Sequence, residues 1–101
     1  MRTMKFNNPE FQPGVNATIR AGADWFGKLR IGQKFYLGGK EKIGICRFLF
    51  VSRYCDLPES ITSLEHCPEL RDKDKLYQAL KAMYPKMGPE DVVSAVGFEV
   101  L

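Results

Sequence analysis

Histidine and tryptophan each occur once in the 101 residues, and cysteine only three times. Cys46, Cys55 and Cys67 are odd in number and lack the close paired spacing of a zinc knuckle or redox dithiol, which excludes a disulfide framework. His66 and Cys67 are adjacent, neighbours seldom converge on one ion, and no fourth ligand stands near Cys55 in the pattern. The thiols are therefore predicted to be buried or incidental, with no metal and no cofactor. No apolar run approaches the roughly 20 residues that span a bilayer, and Met1 to Phe6 has no apolar segment behind its charges to serve as a secretory signal. These absences predict a soluble, cytoplasmic protein without a membrane partner. Repeats and low-complexity tracts are also missing, so the Gly and Pro residues mark turns within one domain, residues 1–101.

What is present suits a single core: 45% of residues are hydrophobic, and Phe, Tyr and Trp occur 7, 4 and 1 times. The net charge of +3 is unevenly spread. Residues 1–54 hold ten Lys/Arg against three Asp/Glu, a net of +7, whereas residues 55–101 hold five against nine, a net of −4. A fold that gathers the basic half on one face would attract phosphates. Strands that carry lysines for solubility would give the same count.

Phe6 and Phe11 stand among polar residues and predict an arm or short helical turn that lays two rings on the core. After the Pro13-Gly14 turn, residues 16–20 favour a short strand, and Ala21 to Asp24 reads as a loop leading to Trp25 and Phe26. Gln33 to Leu37 alternates like a half-buried strand, Gly38-Gly39 turns the chain, and Ile43 to Tyr54 returns as a central strand with two apolar faces, completing a hairpin. Ser60 is the expected cap of a short helical turn through Ile61 and Leu64. Asp72 is placed to cap a helix from Lys73 to Tyr84, whose Leu76, Ala79, Leu80 and Met83 form a core stripe, and Pro85 and Gly88-Pro89 stop it. Val92 to Val100 is the last strand. Strands, then helices, then a strand predict an α+β domain whose sheet curls toward a barrel, with one main helix and a short helical turn.

Thr18 and Arg20 share one face of the first long strand. A threonine hydroxyl becomes a nucleophile only beside a base, and an arginine fork suits phosphate or carboxylate. The plainer alternative is an ordinary strand threonine next to an arginine paired with a carboxylate. Trp25, Tyr36 and Tyr54 offer faces for base stacking, and Arg47 and Arg53, on one parity of the long strand, offer phosphate contacts. Aromatic rings in a small domain otherwise belong to its core. His66, as the sole imidazole, reads as a surface or helix-end residue; a general base is the alternative.

Thr18-Ile19-Arg20, Ile31-Gly32-Gln33, Gly44-Ile45-Cys46, the helix ending in Tyr84-Pro85, and Val96-Gly97-Phe98-Glu99 follow one another in an order that resembles the ASCH branch of the PUA-like superfamily, over roughly residues 13–99. The resemblance implies a small curled sheet or pseudo-barrel that holds RNA or a modified nucleoside. It implies a pocket lined by Asn16, Thr18, Arg20 and Glu69, with Trp25 near its rim. Bacterial members of this group hydrolyse acetylated cytidine with a threonine, a lysine base and a glutamate. Thr18 matches the threonine and Glu69 is the expected glutamate, but Val15 stands where the lysine belongs, and Lys34 is the expected substitute. Three functions follow: binding of RNA or a modified nucleoside, an amidohydrolase acting through Thr18, or a protein-interaction module of a mobile element or virus.

Overall fold

A computed structural model describes residues 1–101. Pro13 presets its backbone and Gly14 adopts a φ of 81°, so the chain turns there into β2, Val15–Ala21. Ahead of that turn lies β1, Thr3–Met4, too short to be read from periodicity. The loop expected from Ala21 to Asp24 is present at Gly22 and Ala23, and Trp25 and Phe26 beyond it lie in a short helix, α1, Asp24–Lys28. β3, Lys34–Leu37, and β4, Ile43–Arg53, form the expected hairpin. α2, Glu59–Thr62, follows Pro58 without any side-chain cap and has Ser60 inside it, so the hydroxyl expected as a cap does not serve as one. In α3, Lys73–Met83, Asp72 does cap: its Oδ1 accepts from the backbone N–H of Asp74 at 2.9 Å and of Lys75 at 3.0 Å. β5, Val92–Val100, completes a mixed sheet in the order β1-β3-β4-β5-β2. β1 runs parallel to β3 and every other pair is antiparallel.

The sheet carries an apolar cluster on each face. Ile19, Tyr54, Val93 and Ala95 meet Leu76 and Leu80 of α3 on one side, and Met4, Phe35, Cys46, Val96 and Phe98 pack on the other. Residues 5–12 cross the second face and carry Phe6 and Phe11 edge-on to each other at 5.2 Å, with Phe11 edge-on to Phe98 at 5.6 Å. The two rings reach the core as expected, on an irregular arm that bends at Asn7 and Asn8 and not on a helical turn. That segment leads from β1 to β2, the two outer strands: Gly38 N–H, just past β3, donates to the Met4 carbonyl at the end of β1, and the Arg20 side chain of β2 donates to the Lys5 carbonyl at 2.7 Å.

β4 contains an irregularity that the alternation of the sequence does not reveal. Cys46 pairs with Phe98, but Phe48 pairs with Gly97, leaving Arg47 as an extra, bulged residue. Beyond the bulge the faces exchange, so Phe48 and Phe50 turn toward the α3 cluster while Leu49 joins Cys46 and Phe98. A Cβ on Gly97 would lie 2.1 Å from the Phe48 ring, so glycine is required for that ring to cross β5. No helix is long and apolar enough to cross a membrane.

Candidate functional site

β2 is an edge strand with β5 on one side. On its other side, Ala17 N–H donates to the Leu64 carbonyl at 2.7 Å, and His66 N–H donates to the Ala17 carbonyl at 2.9 Å, forming one parallel bridge between Ala17 and Glu65. Beyond that bridge the 65–67 segment parts from β2 and a cleft of about 250 Å3 opens. α3 walls it on one side, residues 5–8 on the other, and Glu65 to Cys67 close its end. Met83 and Tyr84, each about half exposed at 53% and 50%, also line it. Ala79 and Met83 of the expected core stripe therefore face this cleft, whereas Leu76 and Leu80 are buried and serve both core and cleft.

Thr18 and Arg20 meet there. The Arg20 Nε donates to Thr18 Oγ1 at 3.1 Å, and its guanidinium lies 4.7 Å from the centre of the Phe6 ring. No carboxylate pairs directly with Arg20, so the simple ion pair weighed from sequence is not what holds it. The acidic group of the cleft is Glu65, only 3% exposed. Burial pushes its carboxyl up to about 7 against the opposing pull of the Cys67 N–H and of Arg20 and Arg71. Arg71 is fastened beside it, donating to the Glu65 carbonyl at 2.9 Å and to Gln12 Oε1 at 3.0 Å.

Glu65 and His66 form a buried dyad with Oε1 and Nε2 3.2 Å apart. His66 is not a surface residue: it is buried, and its ring packs edge-on against Phe6 at 4.9 Å. Its Nδ1 lies 2.9 Å from the Glu10 carbonyl, which can only accept, so the ring proton sits on Nδ1. Nε2 of the neutral ring is then an acceptor, and the contact with Glu65 needs one shared proton. Burial lowers the His66 pKa as it raises that of Glu65, which places this proton on the carboxyl and makes the dyad neutral. A carboxylic acid with a base behind it can donate or accept at neutral pH.

Of the residues singled out from sequence, only Thr18 and Arg20 belong to this cleft. Asn16 is fully buried and spends its amide on the turn before β2, accepting from Gln12 N–H and donating to the Gln12 carbonyl, each at 2.9 Å. Glu69 is exposed on a 3-10 turn, Pro68–Leu70, and does not line the cleft, so the carboxylate there is Glu65 instead. Trp25 sits in α1 against the Phe35–Phe98 cluster with Lys28 Nζ 5.4 Å from its ring, away from the cleft rim. Lys34 is on β3, separated from β2 by β4 and β5, and is not placed to replace the missing base; Val15 starts β2. Arg47 pairs with Glu99 at 2.9 Å, and Arg53 with Asp56 at 2.8 Å and Glu90 at 3.9 Å, all on the surface. Tyr54 is buried with its hydroxyl donating to the Lys73 carbonyl, which leaves no face for stacking. Cys46 and Cys67 are buried and Cys55 is exposed.

Sequence reasoning passed over Lys5, Glu65 and Tyr84. The one available signal was Glu65-His66 itself, an acid joined to the sole imidazole between two short helical segments. A second hollow, of about 590 Å3, is bounded by Arg2, Lys28 and Arg30 and contains no carboxylate or aromatic ring. No family model, curated protein or solved structure matches the chain.

Proposed function

We propose that the chain is an RNA- or modified-nucleoside-binding domain of the ASCH/PUA-like type, and that the cleft at the open edge of β2 holds the nucleoside. The observation that carries this reading is the convergence, in one cleft, of a half-exposed Tyr84 ring, the cations Lys5 and Arg20, the Thr18 hydroxyl and the buried Glu65 carboxyl. An aromatic face suits a base, a cation suits a phosphate, and convergent polar groups in an apolar wall fix orientation. Titrating short single-stranded RNA and acetylated cytidine into the protein at two salt concentrations tests it. RNA affinity should fall with salt, and Tyr84→Ala should lose roughly 1–3 kcal/mol of binding, the usual worth of a stacked base. Lack of binding to either ligand at low salt would refute the reading.

A second reading, an amidohydrolase acting on acetylated cytidine, is favoured by one specific observation: Thr18 shares its cleft with a carboxyl that titrates near 7. In that reaction Thr18 Oγ1 attacks the acetyl carbon, its proton passes to the Glu65–His66 dyad, the cytosine amine leaves with a proton returned from it, and water then hydrolyses the acetyl ester on Thr18 to release acetate. The cationic Arg20 Nε at 3.1 Å favours the ionising hydroxyl. Deacetylation followed by mass detection should then occur with the natural chain, persist at a reduced rate in Thr18→Ser and vanish in Thr18→Ala. Absence of turnover by a folded, nucleoside-binding protein would leave binding as the function.

A further inference from the structure

Along an extended strand the backbone N–H and C=O of one residue point to one side, and those of the residue two further on point to that side again. Ala17 directs both groups away from β5, toward Leu64 and His66. Ile19, two residues later in β2, therefore presents its N–H and C=O to the same side. Continuing the parallel ladder would require an N–H from residue 68 to reach the Ile19 carbonyl, but that residue is proline and has none. No bond runs from Ile19 N–H to the His66 carbonyl, which would be its counterpart. The Ile19 side chain is packed into the cluster with Leu57, Leu80 and Ala95, so what Ile19 can offer a ligand in the cleft is its backbone. Such groups, partly enclosed and unused by the protein, demand a partner from water or ligand.

We propose that Ile19 N–H and C=O form a two-point recognition edge for the adjacent donor and acceptor of a pyrimidine base. The proposal rests on the nucleoside-binding reading above and specifies its ligand. Uracil presents a ring N–H beside a carbonyl, and cytosine an amino group beside a ring nitrogen. Either reproduces the pair of hydrogen bonds that a neighbouring strand residue would make with Ile19. A cleft of about 250 Å3 suits one base better than a larger ligand. The Glu65 carboxyl, at the end of the same cleft, supplies a third polar contact.

The test uses ligand variants, so folding is not at issue. Uridine, uridine methylated at the ring nitrogen between the two carbonyls, and uridine methylated instead at a ring carbon are titrated into isotope-labelled protein, with amide resonances followed by NMR. Uridine and the carbon-methylated form should bind within about twofold of each other and shift the Ile19 amide, whereas the nitrogen-methylated form should bind roughly tenfold or more weakly, because it leaves the Ile19 carbonyl unpaired. Equal affinity for all three, or shifts at Thr18 and Tyr84 without one at Ile19, would overturn the recognition edge while leaving nucleoside binding intact. No shift with any pyrimidine nucleoside, while RNA still binds, would overturn the edge alone. Silence with every ligand would sink both proposals together.

Discussion

Replacing Glu65 by glutamine should make the protein more stable at neutral and alkaline pH. The carboxyl is 3% exposed and is raised from 4.5 to about 7 in the folded state. A raised folded pKa means that the folded protein holds this proton more tightly than the unfolded chain. Its contribution is therefore complete below pH 4.5 and is lost as pH rises through about 7. The whole shift corresponds to about 3 kcal/mol, of which about 1 kcal/mol falls between about pH 6.5 and 8. His66 works in the opposite direction: its folded pKa is lowered, so its contribution is present above its ordinary value of 6.5 and is lost as pH falls. The window above about pH 6.5 thus isolates Glu65. Urea unfolding of the natural chain should show declining stability across that window relative to Glu65→Gln, which keeps a donor for His66 Nε2 and carries no charge. At pH 8 the variant should exceed the natural chain by about 3 kcal/mol or less, since the unfolded state retains some structure. Parallel pH profiles for the two proteins would refute the buried neutral dyad.

Gly97→Ala should destabilise by about 1–3 kcal/mol or more in denaturant unfolding, because the new Cβ meets the Phe48 ring at 2.1 Å, and adding Phe48→Ala should recover part of the loss. Asp72→Ala should cost about 1 kcal/mol by removing the α3 cap, measured in the same way. Arg47→Ala should change stability by less than about 1 kcal/mol, because the Glu99 pair is solvent-exposed, and should leave nucleoside affinity unchanged in calorimetry because Arg47 lies outside the cleft.

Where local chemistry decides structure, the sequence was readable. The alternation of Lys34 to Leu37, the Gly38-Gly39 turn and the twofold apolar run from Ile43 define the hairpin, and Asp72 marks the start of α3. The last strand follows from the same reasoning. What could not be read depends on partners far along the chain. Two residues at Thr3–Met4 become a strand only by pairing with Tyr36 and Leu37. The Arg47 bulge exchanges the faces of β4, so a parity carried from Ile43 assigns Phe48 and Leu49 to the wrong sides.

The site shows the same division. Thr18 and Arg20 share a face because they lie two residues apart on one strand, and the structure places both in the cleft. Glu65 enters through a single bridge to Ala17, a contact between residues 48 apart in a segment without periodicity. Glu69 is only four residues further along, beyond Pro68, and the chain has by then turned outward. Aromatic type alone did not separate the half-exposed Tyr84 at the mouth from the buried Tyr54.

The most direct test of the ligand cleft is an NMR titration with acetylated cytidine at low salt, read residue by residue over the whole chain. The account predicts shifts concentrated at Thr18, Ile19, Glu65, His66 and Tyr84. Undisturbed resonances there, or shifts confined to the surface around Arg47 and Arg53, would contradict it.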